Sequence, residues 1–515
     1  MTTDAGRLDA LTSWHADWRG LRVIVLGLSV TGFAVADTLA ELGADVLVVT
    51  ESADEEYARL LPVIGARLWT GALDEVPAEV VDFAPEVVIA SPGFAPHHPV
   101  VRWATDGGAA LWGDIELAWR VRDKVLRADG TPAEWVLITG TNGKTTTTQL
   151  TAAMIAADGR RAAPCGNIGI PVLDAVRDPA GFDVLVVELS SHQLWYLGRQ
   201  SSPEPLSPHA SVCLNLAEDH LEWHGSFDAY REAKAVVYAR TRVACVYNKA
   251  DDATRRMVED ADVVEGCRAI GFDLGIPGPS DLGIVEGLLV DRAFLDDRHR
   301  SALELTTLDA LAARGLAAPH IVANILAASA LARSLGVRPE SVRDALSTFR
   351  LDPHRIEVVA VARGVTWVDD SKATNPHAAA SSLAAYPGAV WVLGGVLKGV
   401  DIAELVASRG SATKAAVVIG RERAEIVAAF ARHAPGVPIF EVDHAQTEDV
   451  MAEVVEVAAG VARDGDTVLL APAAASFDQF SSYADRGSRF AAAVHAWIER
   501  GTGDDDHRQA PAGGR

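Results

Sequence analysis

The chain has 515 residues, of which 49% are apolar and 23% charged, and its formal net charge is −24. This length predicts about two to four domains, and the composition is typical of a globular protein with several buried cores. The acidic charge excludes broad binding to a nucleic-acid backbone, which needs a basic surface, but a single local site could still hold a nucleotide.

Neither a targeting signal nor a membrane span is predicted. The segment before Leu21 is polar and acidic, unlike a secretory signal, and no run of about 18 uncharged apolar residues occurs. The four cysteines show no CxxC spacing, which favours buried thiols in a reducing cytoplasm over a disulfide framework. They are Cys165, Cys213, Cys245 and Cys267.

The first part of the chain predicts a β-α-β unit. "LRVIVLGL" is followed by the helical pattern "TGFAVADTLAELGA", with Gly43 as its stop, and then by "DVLVVT" and "PEVVIASPG". The turn "GLSVTG" resembles a dinucleotide fingerprint in which Ser29 replaces the middle glycine. Amides at such a helix start favour a pyrophosphate, whereas Ser29 argues against NAD, and an ordinary turn is the alternative.

Two further groups of strands follow. "EWVLITG", "FDVLVVELS", "ASVCLNL" and "RVACVYN" come first, then a hairpin, "DLGIVEGLLVDRAF", and a helix, "HIVANILAASALARSLG"; "GVTWVDDS", "AVWVLGG", "AAVVIG" and "DTVLLAPAAAS" form the last group. Uninterrupted Val, Ile and Leu predict buried parallel sheets, and therefore an α/β fold. We expect domains at 1–112, 113–351 and 352–500, and a disordered tail at 501–515.

The loop "GTNGKTT" predicts a phosphate site. Gly140 and Gly143 permit a tight turn, Lys144 can neutralise phosphate charge, and the Thr145 hydroxyl is placed for Mg²⁺. The spacing is GxxGKT where a standard phosphate loop has GxxxxGKT. By itself, this variant leaves kinase, ATPase and ligase open.

Polar residues follow several of the predicted strands. Glu188 ends one strand with a carboxylate suited to a metal or its water, or to a helix cap. The segment "NLAEDHLEWHGSFDAYREAK" contributes His220 and Lys234, which alone could be a hydrogen-bonded histidine and a solvated lysine. "DPHRIE" contributes Arg355, which could clamp a phosphate or join two domains.

The last group of strands carries the most unusual polar stretch, "WVDDSKATNPHA", and then "GGVLKG" and "APAAASFDQFSSYADRG". Ligands of open α/β sheets bind at the carboxyl ends of the strands. Repeated polar clusters at those ends predict an enzyme rather than a scaffold.

Together, "GTNGKTT", "ELSS", "EDHL…YREAK", "DPHRIE", "DDSKATNP" and "SFDQF…RG" resemble the Mur ligase family of cell-wall synthesis, from about Leu21 to Arg500. The phosphate loop is common to a superfamily that includes folylpolyglutamate synthases, whereas "DSKATNP" and the "SPG" turn resemble the members that add D-glutamate. The resemblance implies three domains: a Rossmann-like domain for the UDP end, a central P-loop-type ATPase with a mainly parallel sheet, and a Rossmann-like C-terminal domain for D-glutamate.

The implied reaction is ATP-dependent, ADP-forming ligation of D-glutamate to UDP-N-acetylmuramoyl-L-alanine through an acyl phosphate, with two Mg²⁺ ions. It belongs to cytoplasmic peptidoglycan precursor synthesis, and hence to cell shape and division, and we expect a monomer. Within the superfamily, a Mur-type or folylpolyglutamate-synthase-like ligase for another amino acid is the alternative. Outside it, a dehydrogenase using the first turn and a non-catalytic nucleotide-binding scaffold stay open.

The resemblance also implies roles for individual residues. The catalytic residues are Lys144, Glu188, His220 and Lys234. The metal ligands are Thr145, Glu188, His220 and Lys234, the last as a CO₂-derived carbamate. The ATP-binding residues are Gly140, Thr141, Asn142, Gly143, Lys144, Thr145, Thr146, Asn324, Arg355 and Asp370. The residues for the UDP substrate are Val30, Thr31, Ser91, Pro92, Gly93 and Asn167. The residues for D-glutamate are Lys372, Thr374, Lys398, Ser476 and Tyr483.

Two positions depart from the family pattern: Thr50, where an Asp often meets the uracil region, and Ile321, where an Asn often lies near the nucleotide.

Overall fold

The computed structural model describes residues 5–200, 202–442 and 447–508. The chain divides into two compact units. The first unit comprises Met1–Leu216 and Trp223–Phe349, and the second comprises Ala217–Glu222 and Arg350–Arg515. The domain boundaries at 112, 351 and 500 stay predictions.

The first sheet is entirely parallel. Its strands are β1 (Arg22–Leu28), β2 (Asp45–Ala53), β3 (Arg67–Thr70), β4 (Val87–Ala90) and β5 (Ala110–Gly113). Their order, β3-β2-β1-β4-β5, is that of a Rossmann-like doubly wound sheet. The predicted β-α-β unit at its start is therefore confirmed.

The second sheet has nine strands in the described part of the chain. They are β6 (Glu134–Thr139), β7 (Ala162–Gly166), β8 (Val184–Glu188), β9 (Ala210–Cys213), β10 (Ala244–Asn248), β11 (Arg268–Phe272), β12 (Asp281–Val285), β13 (Leu288–Asp291) and β14 (Leu303–Thr307). The order is β14-β13-β12-β11-β10-β9-β6-β8-β7, parallel except where β13 meets β12 and β14. The predicted hairpin is confirmed as β12–β13, because Glu286 and Gly287, both at positive φ, make the two-residue turn that suits strand twist.

The third sheet lies in the second unit and is parallel apart from one edge. Its strands are β15 (Glu357–Ala362), β16 (Val365–Asp369), β17 (Val390–Gly394), β18 (Ala415–Ile419), β19 (Ile439–Glu441) and β20 (Thr467–Leu470). The order is β15-β16-β20-β17-β18-β19, with β15 antiparallel to β16. The ends of β16, β17 and β20, where the polar stretches follow, are therefore neighbours.

Helices connect most of the parallel strands. In the first unit they are α1 (Ala5–Asp9), α2 (Val30–Glu41), α3 (Glu55–Leu60), α4 (Ala78–Phe83), α5 (Pro99–Asp106), α6 (Asp114–Arg120), α7 (Lys144–Ala157), α8 (Val172–Arg177), α9 (Ser191–Leu197), α10 (Leu221–His224, which begins in the short segment of the second unit), α11 (Phe227–Ala235), α12 (Asp252–Glu259), α13 (Leu308–Ala312), α14 (Pro319–Ser334) and α15 (Pro339–Thr348). In the second they are α16 (Pro376–Ala385), α17 (Ala403–Arg409), α18 (Arg423–His433), α19 (Thr447–Val461) and α20 (Tyr483–Arg508).

The predicted tail at 501–515 overlaps the end of α20 and otherwise lies outside the described residues. Within the described ranges, none of the helices has both the length and the apolar character that crossing a bilayer requires.

One cluster of buried apolar side chains extends through both sheets of the first unit. It includes Val23 of β1, Leu137 of β6 and, from the N-terminal segment, Leu8, Leu11 and Trp18. The first two groups of strands, which the sequence separates into domains, thus share one core. The N-terminal segment, which lies before the part of the chain that the resemblance covers, is part of that core.

Candidate active site

The phosphate loop joins β6 to α7, and its two glycines set its shape. Gly140 has φ +150° and Gly143 has φ +84°, backbone conformations that residues with a Cβ rarely adopt. Lys144, Thr145 and Thr146 form the first turn of α7. Amides of a first helical turn lack partners within the helix, so the loop presents N–H groups and the positive end of the helix dipole to an anion.

Side chains from elsewhere in the first unit fix this loop. Asn142 N donates to Asn215 Oδ1 at 2.9 Å, and Asn215 Nδ2 returns a bond to Asn142 O at 3.1 Å. The Thr141 and Tyr230 hydroxyls lie 2.9 Å apart. Asn215 and Tyr230 are absent from the predicted site, although Tyr230 lies in the predicted polar segment, because nothing in their own sequence signals a loop more than 70 residues away.

Two lysines converge on the loop. Lys144 Nζ donates to Gly140 O at 2.8 Å and to Thr141 O at 2.9 Å. Lys234 Nζ, on α11, donates to the same Gly140 O at 2.9 Å and to Thr139 Oγ1 at 3.2 Å. Two ammonium groups at one carbonyl repel each other, and Lys234 is only 1% exposed, so an anion bound here would be favoured electrostatically. The structure thus brings together Lys144 and Lys234, two of the predicted catalytic residues.

Asn324 of α14 is the next predicted residue that the structure brings to the loop. Its Oδ1 lies 2.4 Å from the position that a Cβ would take at Gly143. The amide of Asn324 therefore packs directly on the turn that opens α7. Any larger residue at Gly143 would collide with it.

Glu188 ends β8 next to β6, and its side chain is 2% exposed. Asn167 Nδ2 donates to its Oε1 at 3.1 Å, while its Oε2 is buried and has no hydrogen-bond partner in the described structure. A buried carboxylate oxygen without a partner is costly unless a cation or donor completes it. Asn167, predicted for the UDP substrate, and Glu188, predicted as a metal ligand, are therefore direct neighbours.

Apart from Asn167, the predicted UDP residues come from two turns at the carboxyl ends of β1 and β4 in the first sheet. Val30 and Thr31 open α2, and Ser91, Pro92 and Gly93 follow β4. The Ser91 Oγ lies 3.1 Å from the position of a Cβ at Gly27, in the β1–α2 turn. The two turns are thus adjacent, and Val30 is 51% exposed.

In the second unit, the predicted residue His220 stands at φ +54° beside Asp219. Its Nε2 lies 3.7 Å from Asp219 Oδ2, and Lys398 Nζ lies 4.0 Å from Asp219 Oδ1. Asp219, 7% exposed, is therefore shared by a predicted metal ligand and a predicted D-glutamate ligand. No prediction gave it that position.

Two adjacent carboxyls lie at the carboxyl end of β16, Asp369 as its last residue and Asp370 directly after it. Asp370 accepts from Ile356 N at 3.3 Å and from the Ser382 hydroxyl, and burial raises its pKa to about 6. Asp369 is fully buried against His354 Nδ1 at 2.6 Å, and burial raises its pKa as well. The charge of Arg355 partly offsets the rise at Asp370, so these two predicted nucleotide residues interact electrostatically.

The predicted D-glutamate residues surround the ends of β16, β17 and β20. Lys372 Nζ lies 3.9 Å from the centre of the Tyr483 ring, a cation–π contact. Thr374 N donates to Lys372 O at 2.8 Å. An antiparallel bridge pairs Ala475 with Val396. Ser476, which is 2% exposed, directly follows Ala475, and Lys398 lies two residues after Val396.

A buried arginine holds this region together, although no role was predicted for it. Arg486 is fully buried and donates to Ser371 Oγ and Ser371 O, both at 2.9 Å, and to Ala474 O at 3.1 Å. Burial lowers its pKa to about 10. The Ser371 hydroxyl in turn donates to Tyr483 O at 2.7 Å, so Arg486 fixes the ends of β16 and β20. The sequence motif "SFDQF…RG" contains Arg486 as its arginine, but no role was predicted for that residue.

The sequence matches two family models, the Mur ligase middle domain over residues 138–332 and the Mur ligase glutamate ligase domain over residues 354–474. It is 61% identical to a UDP-N-acetylmuramoylalanine–D-glutamate ligase of Leifsonia xyli subsp. xyli, with all of both chains covered. It is 47% identical to the enzyme of that name from Tropheryma whipplei (strain Twist), over 96% of this chain and 99% of that one.

Among solved structures, the fold is similar to that of UDP-N-acetylmuramate–alanine ligase from Thermotoga maritima. The TM-score is 0.54 at 17% identity, over 92% of this chain and 99% of that chain. A likeness at this identity concerns the fold alone, and it confirms the predicted α/β class.

Proposed function

Since the chain belongs to the Mur ligase family, we propose that it is an ATP-dependent ligase that joins D-glutamate to UDP-N-acetylmuramoyl-L-alanine. The observation that carries this function is the 61% identity, over the full length of both chains, to a ligase of that specificity. The geometry agrees, because a phosphate loop with two lysines suits ATP, and cationic and hydroxyl side chains gathered at three strand ends suit a small dicarboxylate.

The reaction has two steps. An oxygen of the alanyl carboxylate attacks the γ-phosphorus of ATP, the bond to the bridging oxygen breaks, and ADP leaves. The amine of D-glutamate then attacks the acyl carbon, the carbon–oxygen bond breaks with release of phosphate, and the nitrogen loses a proton to give the amide.

The first step brings two anions together, and the loop offsets their repulsion. We assign the triphosphate to the amides of the first turn of α7, and Lys144 exchanges its two carbonyl partners for phosphate oxygens. Asn324 supports the turn at Gly143. The nucleotide contacts are Gly140, Thr141, Asn142, Gly143, Lys144, Thr145, Thr146, Asn324, Arg355 and Asp370.

The donor set fits Mg²⁺. The buried Glu188 Oε2 is a hard oxygen ligand without a partner in the described structure, and Thr145 supplies a hydroxyl in the first turn of α7. When bound, Mg²⁺ neutralises charge on the phosphates. The proposed ligands are Thr145, Glu188, His220 and Lys234, and two ions stay a prediction.

Lys234 suits this role better as a carbamate than as an ammonium. As a cation it lies almost fully buried and shares Gly140 O with Lys144, which raises the cost of its charge. Reaction of the neutral amine with CO₂ would replace a buried cation with an anionic oxygen ligand.

The two carboxylates of D-glutamate require cations and hydroxyls. Lys372, poised on the Tyr483 ring, supplies one cation, and Lys398 supplies the other. The proposed D-glutamate residues are Lys372, Thr374, Lys398, Ser476 and Tyr483. The proposed residues for the UDP substrate are Val30, Thr31, Ser91, Pro92, Gly93 and Asn167.

We place the reaction in the cytoplasm, where ATP is available and the free thiols of the described chain stay reduced. The monomeric state stays a prediction.

The test is phosphate release measured against a matrix of UDP-sugars and amino acids. We expect release only with ATP, UDP-N-acetylmuramoyl-L-alanine and D-glutamate together, and the product mass should show the new amide. Ligation of L-glutamate in preference to D-glutamate, or of another amino acid, would replace the proposed specificity with that of a different ligase in the superfamily.

A further inference from the structure

Two cysteines that are 22 residues apart in sequence meet in the first unit. Cys245 lies within β10, and Cys267 immediately precedes β11, which runs parallel to β10. Their Sγ atoms are 3.7 Å apart. A disulfide needs a sulfur–sulfur bond of about 2.05 Å, so the two sulfur atoms must approach each other by under about 2 Å.

The two thiols differ in exposure. Cys245 is 2% exposed, and Ser211 Oγ on β9 lies 4.0 Å from its sulfur. Cys267 is only half-buried. It lies in the turn just before β11, where its N–H donates to Val264 O at 3.0 Å. An oxidant from solvent therefore reaches Cys267 first.

The hydrogen bond between the sulfurs also distinguishes them. It lowers the pKa of Cys267, because a Cys245 S–H that donates to Cys267 favours its thiolate, and it raises the pKa of Cys245. The more accessible sulfur is therefore also the better nucleophile.

The two remaining cysteines lack these features. Cys165 and Cys213 are both fully buried, and burial raises the pKa of each thiol, that of Cys213 to about 11. They fit the predicted description of buried, inert thiols. Cys245 and Cys267 do not.

We propose that Cys245 and Cys267 form a reversible intramolecular disulfide under peroxide, with Cys267 as the attacking thiol and Cys245 as the resolving thiol. This modification site is independent of the ligase reaction and of its residues. The disulfide protects Cys267 from irreversible oxidation, because a sulfenic acid next to a second thiol condenses before it is oxidised further.

The two steps balance. The Cys267 thiolate attacks one oxygen of hydrogen peroxide, the O–O bond breaks, and the departing hydroxide takes a proton to become water. The Cys245 sulfur then attacks the sulfenic sulfur, an S–S bond forms, and the hydroxyl leaves with the thiol proton as a second water. Two thiols lose two electrons and two protons, and a small thiol reverses the bond by exchange.

The experiment treats the reduced full-length chain with graded hydrogen peroxide and removes the peroxide with catalase. It then blocks the remaining thiols with N-ethylmaleimide in urea, so that buried thiols also react, and maps the peptides by mass spectrometry. We expect one linked peptide pair containing Cys245 and Cys267, lighter by two hydrogens, from a band that stays monomeric on a non-reducing gel. Cys165 and Cys213 should still react with N-ethylmaleimide after peroxide treatment. Reduction with dithiothreitol before labelling should restore four labelled thiols.

The Cys245→Ala variant separates a resolving thiol from a bystander. Without its partner, Cys267 should proceed to sulfinic acid and lose reversibility, whereas Cys267→Ser should leave Cys245 reduced. In case a variant does not fold, trapping with dimedone in the wild type should give a transient sulfenic acid at Cys267 that decays as the linked pair appears. Disulfides between molecules, linkage only in urea, or sulfinic acid at Cys267 of the wild type at the rate seen in Cys245→Ala would overturn the proposal.

Discussion

The phosphate loop of the first unit and the strand-end cluster of the second unit obtain their shapes in different ways. Backbone conformation shapes the loop, through Gly140 and Gly143 at positive φ, and the donors that we propose for phosphate are amides of one short segment. Buried side chains shape the cluster, where Arg486 connects Ser371 to Ala474. The comparison shows that a backbone site can be encoded locally, whereas a side-chain site depends on partners distant in sequence.

The substrates that we propose for the two sites explain this difference. A triphosphate offers many equivalent oxygens that any amide can bind, so a turn with the right curvature suffices. A small dicarboxylate must be distinguished from its stereoisomer, which requires side chains held in fixed positions. The loop therefore tolerates few backbone changes, and the cluster tolerates few changes to its supporting side chains.

The largest expected effect is at the loop, where the Lys144→Met variant should lower kcat/KM by about 10³-fold while the free energy of unfolding stays near the wild-type value. The reason is that a preorganised cation at the reacting phosphate is lost, whereas the fold loses the bonds of one side chain, among them those to two loop carbonyls. Steady-state phosphate release and thermal unfolding are the measurements.

Lys249→Met is the matched control, since Lys249 Nζ bonds Asp281 at 2.6 Å and has no proposed role. It should keep wild-type turnover. Equal losses in the two variants would show that Lys144 acts through the fold rather than on the phosphate.

In the cluster, by contrast, we expect the main effect of a substitution to be a loss of folding stability. Arg486→Met leaves three buried acceptors without their charged donor and should lower the free energy of unfolding of the second unit by about 3 to 4 kcal/mol. Hydrogen exchange of the β16 and β17 amides at increasing urea concentration reports on this unit. Arg489→Met, which removes a partly exposed pair with Asp485, should cost less than about 1 kcal/mol. If the two variants unfold alike, the network around Arg486 does not support the cluster.

Each unit also contains a buried carboxyl whose pKa burial raises from 3.8 to about 6, Asp114 in the first and Asp370 in the second. Because the folded pKa exceeds the unfolded value, the stabilising effect is complete below about pH 4 and is lost as pH rises through about 6. Asp114→Asn should therefore match the wild type near pH 4 and exceed its unfolding free energy by about 3 kcal/mol at pH 8, because Asn can still accept from Gln193.

Urea titrations at several pH values measure this difference. Asp370→Asn should show the same trend in the second unit but, unlike Asp114→Asn, should weaken ATP binding. A variant-minus-wild-type difference that does not change with pH would contradict the shifted pKa of Asp114.

The smallest expected effect comes from adding a methyl group at a glycine. Two such substitutions distinguish the cost of a strained backbone from that of a steric collision within the loop. Gly143→Ala places a Cβ 2.4 Å from Asn324 Oδ1 at φ +84°, whereas Gly159→Ala, at φ +92°, meets nothing within 4 Å. Both should lose about 1 to 2 kcal/mol of stability from the left-handed backbone. Only Gly143→Ala should also raise the KM for ATP, by about tenfold. An unchanged KM would mean that the contact between Asn324 and the turn is dispensable.

Much of the fold was predictable because buried parallel strands carry an unbroken apolar signal. β1, β6, β8 and β17 were all predicted, and so was the hairpin β12–β13. The strands that escaped prediction, such as β7 and β19, are short or lie at sheet edges, where side chains need not be apolar. Pro164 in the edge strand β7 illustrates this, since an edge tolerates a residue without an N–H.

By itself the sequence determined the α/β class and the phosphate loop, because these depend on periodicity and on local backbone chemistry. Most residues of the proposed site were implied by the resemblance to a family. Only the tertiary structure decided which distant groups support them: Asn215 and Tyr230 at the loop, Arg486 at the cluster, and Cys245 against Cys267. The physical reason is that a hydrogen bond or a sulfur contact is fixed by distance in space. The order of the strands in the sheet sets that distance, and it cannot be predicted from a local pattern of residues.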